Sequence, residues 1–206
     1  MNKIKASYVI ESEINGMEIL KQIEKVGRTC YKSEDKITDD SAIKFVTGLI
    51  KRGHEAMIEH NSISVRFICD RGVSHEIVRH RLASFGQEST RYCNYSSDKF
   101  SNQITVIEPL FWGKETYAYF QWQTACLNAE KAYFNLLNDG CSPQEARSVL
   151  PTSLKTEIVV TMNLREWRHF LKLRTEIVAH PQMRELTVPL LAELKALVPV
   201  VFDDIK

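Results

Sequence analysis

The sequence predicts a mixed helix-and-sheet fold, α+β or α/β, folded as one compact unit. Three observations carry that reading. "NSISVRFICD" (61–70) alternates strictly: Ile63, Val65, Phe67 and Cys69 point one way and Ser62, Ser64 and Arg66 the other, the period of a half-buried strand. "GMEILKQIEKVGRTC" (16–30) has helical spacing, with Ile19, Leu20, Ile23 and Val26 on one face and Glu18, Lys21, Gln22 and Lys25 on the other. Segments of these two kinds interleave along the chain without an internal repeat, low-complexity tract or linker, so residues 1–206 read as a single domain.

In order, "KASYVIES" (5–12) reads as a first short strand and is followed by the amphipathic helix just described. Asp39 or Asp40 can cap a helix through "SAIKFVTGLIKRG" that Gly53 ends. The alternating strand comes next, then "SHEIVRHRLA" (74–83), a helix capped by Ser74. Phe85 to Lys99 is loop-like, rich in Ser, Gly and Asn. "ITVIEP" is another short strand, and a long helix covers about Thr116 to Asn138, stopped by Gly140. "SPQEARSVLP" is a short helix with Pro143 in its first turn. "TEIVVTMN" is a strand, "LREWRHFLKLRTEIV" (164–178) a helix, and the last helix follows Pro181 and ends near Pro199.

The 206 residues are enough to bury roughly 70% of the unfolded surface, so the core needs neither a metal nor a disulfide. With 27 basic and 26 acidic residues the chain is nearly neutral, which argues against a general nucleic-acid or membrane binder; any cationic site has to be local. The five cysteines are odd in number and lack CxxC spacing, which fits reduced thiols in a cytoplasmic protein better than a disulfide framework or a zinc site. The N-terminus has no signal-peptide core, and no apolar run reaches the roughly 18–20 residues a membrane span needs.

Against that neutral background, "RHRLASFGQESTRY" (79–92) stands out. On a continuous helix, Ile77, Val78 and Leu82 form the apolar face, Glu76, Arg79, His80 and Ala83 fall opposite, and Arg81 lies in the apolar arc, where a guanidinium needs a partner. The following residues add hydroxyls, an amide, backbone N–H groups and a further guanidinium. Arginine grips phosphate with paired hydrogen bonds, so the segment suggests a pocket for a phosphorylated ligand; the plainer alternative is a solvated basic face with local ion pairs. Ser89 lacks a GxSxG elbow, which favours a ligand hydrogen bond over a nucleophile. From Asn163 to Arg174, the apolar arc holds Leu164, Trp167, Phe170 and Leu171 together with Asn163 and Arg174, while Arg165, Arg168, His169 and Lys172 lie on the other side. An arginine on a buried stripe calls for an anion or a polarisable ligand group, unless it snorkels from the helix end. "HEAMIEH" (54–60) looks superficially like a zinc helix, but a separation of six puts its two imidazoles roughly 120° apart, so no metal is expected.

These residues resemble a known family. Arg79, His80, Arg81 and, after seven residues, Ser89 match the signature of the flavin-dependent thymidylate synthases, with Arg91 and Tyr92 following. "GHEAMIEH" is similar to that family's upstream GHxSPxEH segment, "EARSVLP" to the segment with a substrate-binding arginine, and "MNLREWRHFLKLR" to its C-terminal Asn-Leu-Arg helix. The resemblance implies that family's α+β fold and conversion of dUMP to dTMP, with methylenetetrahydrofolate as carbon donor, FAD reduced by NADPH, and tetrahydrofolate as product. It implies that Arg174 interacts with the uracil and favours ionisation of the ring nitrogen between the carbonyls. It assigns Glu76, Arg79, Gln87, Ser89, Arg91, Arg147 and Arg174 to dUMP, with Glu88 and Thr90 adding backbone contacts. To FAD it assigns His54, Ala56, Arg79, His80, Arg81, Gln87, Asn163, Arg165 and His169. It also implies a homotetramer whose sites combine residues of several subunits.

Some positions depart from the family pattern. Ala56 stands where Ser or Thr is usual, which removes a hydroxyl contact and leaves only the backbone. Met57 replaces a proline, Gly86 an Asn or Ser, Gln87 a frequent Glu, and His169 a frequent Asn. "AHPQMREL" differs in spacing from the common His-Ala-Gln-Trp version, so a flavin contact by His180 is left open.

Overall fold

The computed structural model describes all residues, Met1–Lys206. Its fold is the mixed α+β arrangement that the sequence predicts. The strands are β1 (Asn2–Ile4), β2 (Ser7–Ile10), β3 (Ser62–Asp70), β4 (Ala83–Gln87), β5 (Thr105–Ile107) and β6 (Lys155–Asn163). The helices are α1 (Gly16–Thr29), α2 (Ser41–Lys51), α3 (Arg71–Ile77), α4 (Tyr117–Asn138), α5 (Pro143–Ala146), α6 (Leu164–Arg174) and α7 (Pro181–Leu197). One sheet has the order β2-β3-β6-β4; β1 and β5 form a separate parallel pair in which Asn2 faces Thr105 and Ile4 faces Ile107. The chain divides into two compact units, one made of Met1–Ser7, Phe67–Arg79 and Gly86–Ile158, the other of Tyr8–Arg66, His80–Phe85 and Val159–Lys206.

The first unit is centred on Tyr95, Ile104, Val106, Cys126, Tyr133, Ala146 and Leu154, all buried. Its long helix α4 starts at Thr116, whose side chain accepts from the Tyr119 backbone N–H. α5 starts with a capping box in which Glu145 accepts from the Ser142 backbone and hydroxyl.

In the second unit, α1 buries Leu20 and Ile23 and is capped by Asn15, as its amphipathic pattern requires. Leu164, Trp167, Phe170 and Leu171 of α6 are fully buried, and the Trp167 indole N–H donates to the Ile63 carbonyl at 2.9 Å. Each such apolar side chain stabilises the fold by about 1.5–3 kcal/mol. The stripe therefore anchors α6 and fixes the direction in which its polar side chains project.

Several boundaries differ from the sequence reading. The first predicted strand, 5–12, is β2, and β1 before it is a further strand that the sequence reading does not include. α2 begins after Asp40, whose carboxylate accepts from the Thr38 hydroxyl instead of capping the helix. The helix expected over 74–83 is capped by Asp70, which accepts from the Val73 N–H, and it ends at Ile77. Ser74 is inside that helix and donates to the Arg71 carbonyl. The following turn reverses the expected faces: Val78, Arg81 and Leu82 are exposed and His80 is buried. Residues 83–87 are an edge strand of the sheet, where the sequence predicts the helix end at Ala83 and a loop from Phe85. α6 stops at Arg174 instead of running to Val178; Thr175 is its C-cap, with the hydroxyl and N–H both donating to the Leu171 carbonyl. Ile177 and Val178 are left almost fully exposed.

Candidate functional site

The strongest polar constellation in the second unit is built on α6. Asn163 is its N-cap and accepts from the Glu166 backbone N–H through Oδ1 at 2.9 Å. This turns Glu166 inward, where Oε1 lies 3.3 Å from Nδ1 of His80. On the other edge of the same imidazole, Nε2 accepts from Nε–H of Arg174 at 3.1 Å. The ring is packed edge-on against Phe170 and His169, with centroids 4.8 and 5.6 Å away. Burial pushes the His80 pKa down to about 4, and the positive charge of Arg174 beside it acts in the same direction, so the imidazole is neutral at pH 7. Burial raises the Glu166 carboxyl above its ordinary value. Arg174, expected on a buried stripe, is half-buried, and its carbonyl accepts from the Thr187 hydroxyl at 2.8 Å.

Beside this group is a cavity of about 500 Å³ lined by Glu55, Glu59, Leu82, Asn163, Arg165, Glu166, Arg168, His169 and Lys172. That volume lies within the roughly 300–1,000 Å³ typical of small-molecule sites. Its donors suit an anionic, hydrogen-bonding cofactor. Arg165, His169 and Lys172 are exposed, and Asn163, with Oδ1 engaged in capping, presents an amide NH₂. Arg165 is held at 2.6 Å by Glu59, so a phosphate there exchanges one anion for another. These residues fit a part of FAD. His54 and Ala56 are exposed, His54 as the N-cap of the 3-10 segment Glu55–His60 and Ala56 within it, and Arg81 is exposed beyond His80.

The fold also creates a potential metal set that spacing along the chain could not reveal: ligand atoms of His80, Glu166 and His169 lie within 4.8 Å of one another. The Arg174 guanidinium, 3.1 Å from His80 Nε2, puts a fixed positive charge against it and makes the group a poor cation site.

The first unit holds a second cluster. Ser89 closes a tight turn: its Oγ accepts from the Arg91 N–H at 3.3 Å, and its carbonyl accepts from the N–H groups of Tyr92 and Cys93. Thr90 is buried, and Arg147 reaches it from the end of α5, Nη1 to Oγ1 at 3.3 Å. The alternative partner for Arg147, Glu145, is engaged by Ser142. Arg79, Arg91 and Arg147 are exposed, and Arg91 lies over the Tyr92 ring at 5.5 Å. Gln87 uses its amide NH₂ to brace Ser74 at 3.0 Å and Thr156 at 3.2 Å. Glu88 is tied through its carboxylate to Tyr95 and Lys155 at 3.2 and 3.0 Å, and its backbone N–H donates to the Glu157 carbonyl at 2.9 Å. Glu76 is half-buried at the end of α3.

Residues 14–200 match the family described as thymidylate synthase complementing protein. The chain belongs to this family. The matched span contains every residue of both clusters. A flavin-dependent thymidylate synthase from Geobacter sulfurreducens is 32% identical over 188 residues, covering 86% of this chain and 78% of that protein. One from Pyrococcus furiosus is 31% identical over 169 residues, covering 82% and 68%. Among solved structures, the UMP/dUMP methylase PolB of Streptomyces cacaoi, bound with 5-Br dUMP, superposes with a TM-score of 0.80 at 22% identity, over 98% of this chain and 96% of that one. The latter likeness establishes the shared fold.

Two residues that matter in this family member were not singled out from sequence. Glu166 was not picked out, although an acid next to the capping Asn163 is a recognisable first-turn feature. Arg168 was assigned to the polar face but is buried, paired to Glu55 at 2.9 Å and to Asp204 at 2.6 Å. All five cysteines are unpaired; burial pushes Cys69 up to about 12 and Cys126 up to about 11, which leaves both inert as nucleophiles at neutral pH.

Proposed function

We propose that this member of the thymidylate synthase complementing protein family is a flavin-dependent thymidylate synthase. It converts dUMP to dTMP with methylenetetrahydrofolate as carbon donor and releases tetrahydrofolate. The observation that carries the reading is the half-buried Arg174 guanidinium, held by a neutral imidazole at the end of a helix anchored by its apolar stripe. A fixed cation in that setting stabilises negative charge on a bound ring, because it needs no reorganisation when the charge develops.

Arg174 contacts the uracil and favours the ionised form of the nitrogen between its carbonyls. Arg79, Arg91 and Arg147 take the nucleotide phosphate, Ser89 adds a hydroxyl, Glu88 and Thr90 add backbone contacts, and Glu76 and Gln87 complete the dUMP set. His54, Ala56 (through its backbone), Arg79, Arg81, Gln87, Asn163, Arg165 and His169 hold FAD, while His80, with both ring nitrogens engaged by Arg174 and Glu166, supports Arg174. When bound and reduced by NADPH, FAD supplies the reducing equivalents. The buried cysteines take no part. Residues 1–206 act as one functional domain, in a cytoplasmic homotetramer that combines residues of several protomers in each site. No helix is long and apolar enough to cross a membrane.

The test is an absorbance titration followed by an assay. Purified protein is expected to carry or bind FAD, to shift the flavin spectrum on addition of dUMP, and to form dTMP only with dUMP, methylenetetrahydrofolate and NADPH together. Properly folded protein that binds neither flavin nor dUMP would overturn the assignment.

A further inference from the structure

The hydrogen-bond order around His80 is directional. A guanidinium can only donate, so His80 Nε2, 3.1 Å from Arg174 Nε, has to be the lone-pair nitrogen. In a neutral imidazole the proton then sits on Nδ1, which faces Oε1 of Glu166 at 3.3 Å. With Nε2 accepting, Nδ1–H is the donor and Glu166 Oε1 the acceptor, so the carboxyl oxygen supports the same tautomer from the other side. A histidine that merely filled core space would need one partner of either kind. Here both ring nitrogens are engaged in a fixed sense, Arg174 to His80 to Glu166, in a side chain only 6% exposed. Each end of the chain is separately braced, Glu166 by the Asn163 cap and the Arg174 backbone by Thr187.

We propose that Glu166 and His80 are positioning residues that hold the His80 tautomer able to receive Nε–H of Arg174, and so fix the plane of the Arg174 guanidinium for the substrate. This rests on the function proposed above. A pre-set guanidinium avoids losing side-chain rotamer freedom when the substrate ring arrives. A glutamine at 166 fits the same space but can donate as well as accept. It therefore permits the reversed tautomer, in which Nε2–H points at Arg174 and the acceptor is lost.

The test uses full-length FAD-loaded protein, with Glu166→Gln compared in two backgrounds. Glu166→Gln is expected to lower kcat about 10-fold or more, with the dUMP KM and the bound flavin changed less than 3-fold. In an Arg174→Lys background, the same change is expected to have no further effect, since the group being positioned is gone. Equal kcat losses in the two backgrounds, or wild-type kcat in Glu166→Gln, would overturn the proposal. A second readout needs no turnover: ¹⁵N NMR of the His80 ring should show an Nδ1–H tautomer in wild type and a mixture, or Nε2–H, in Glu166→Gln. An Nε2–H ring in the wild type refutes the positioning chain by itself. Absence of dTMP synthesis with the Nδ1–H ring present counts against the assigned reaction instead.

Discussion

Arg168 closes on Asp204 through two parallel hydrogen bonds, Nη1 to Oδ1 at 2.6 Å and Nη2 to Oδ2 at 2.9 Å. The same guanidinium donates to the Val201 carbonyl and, through Nε, to Glu55 at 3.0 Å. One buried cation thus ties α6 to the C-terminal segment and to the 3-10 segment Glu55–His60, which contains Ala56 and follows His54.

This predicts an acid-sensitive contribution to stability. The hydrogen bond from Arg168 holds the Asp204 pKa below its ordinary 3.8. A depressed carboxylate stabilises the folded state above the unfolded-state value and loses that contribution as pH falls through the folded-state value. Asp204→Asn should cost about 1–3 kcal/mol at pH 7. The difference from wild type should shrink below about pH 4. Urea melts from pH 7 to pH 3 measure it; a difference that does not change with pH would show that the charge on Asp204 is irrelevant.

His80 gives a separate pH window. Its pKa falls from 6.5 to about 4, chiefly through burial and then through Arg174 and His169. The unfolded chain binds a proton at a higher pH than the folded one, so the His80 contribution is complete above about 6.5 and is lost as pH drops through about 4. NMR titration should place the ring's midpoint near 4, and His80→Gln should flatten the stability slope between those two values. A midpoint at the ordinary value would contradict the buried neutral ring.

How far the sequence anticipates this arrangement depends on the range over which each determinant acts. The alternation at Ile63, Val65, Phe67 and Cys69 and the stripe Leu164, Trp167, Phe170 and Leu171 are local periodicities, and all eight side chains are buried as their periods require. His80 is not legible in this way. Extending a helical period through it places it outside, whereas the chain breaks at Ile77 and lets it meet Glu166, 86 residues away. Arg168 breaks the binary pattern for the same reason, because its partners Glu55 and Asp204 lie 113 and 36 residues away. The arginine-rich motif locates site chemistry, while tertiary packing decides which of its members are buried.

Close packing between the start of α1 and the end of α7 predicts a stability defect away from the polar clusters. A Cβ placed on Gly16 would meet the Leu197 carbonyl oxygen at 2.1 Å and the Pro199 ring at 3.0 Å. Backbone cannot move aside as a flexible side chain can, so Gly16→Ala should destabilise by about 1–3 kcal/mol despite its gain in helix propensity. Chemical denaturation measures this. A stabilised variant would mean that the helix ends separate readily.

The His80, Glu166 and His169 group leads to a prediction about metals. With Arg174 against His80, the group should not retain a divalent cation, so prolonged dialysis against EDTA should leave flavin binding and turnover within about 2-fold of untreated protein. A loss of activity restored by added zinc or manganese would instead identify these three side chains as ligands.

Arg147 offers the sharpest test of the phosphate assignment, because its tether is weak and neutral. It donates to the Thr90 hydroxyl at 3.3 Å from an exposed position, so removing it leaves no buried charge behind. A charge-assisted contact to phosphate is worth about 1.5–3 kcal/mol. Arg147→Ala should therefore raise the dUMP Kd roughly 10- to 150-fold, with the melting temperature and FAD affinity little changed. Thr90→Val removes the tether but keeps the charge and should cost less, about 10-fold at most, through looser placement of the guanidinium. Deoxyuridine, which has no phosphate, separates the two explanations. If Arg147→Ala weakens deoxyuridine as much as dUMP, the arginine supports the turn around Ser89 and does not hold the phosphate.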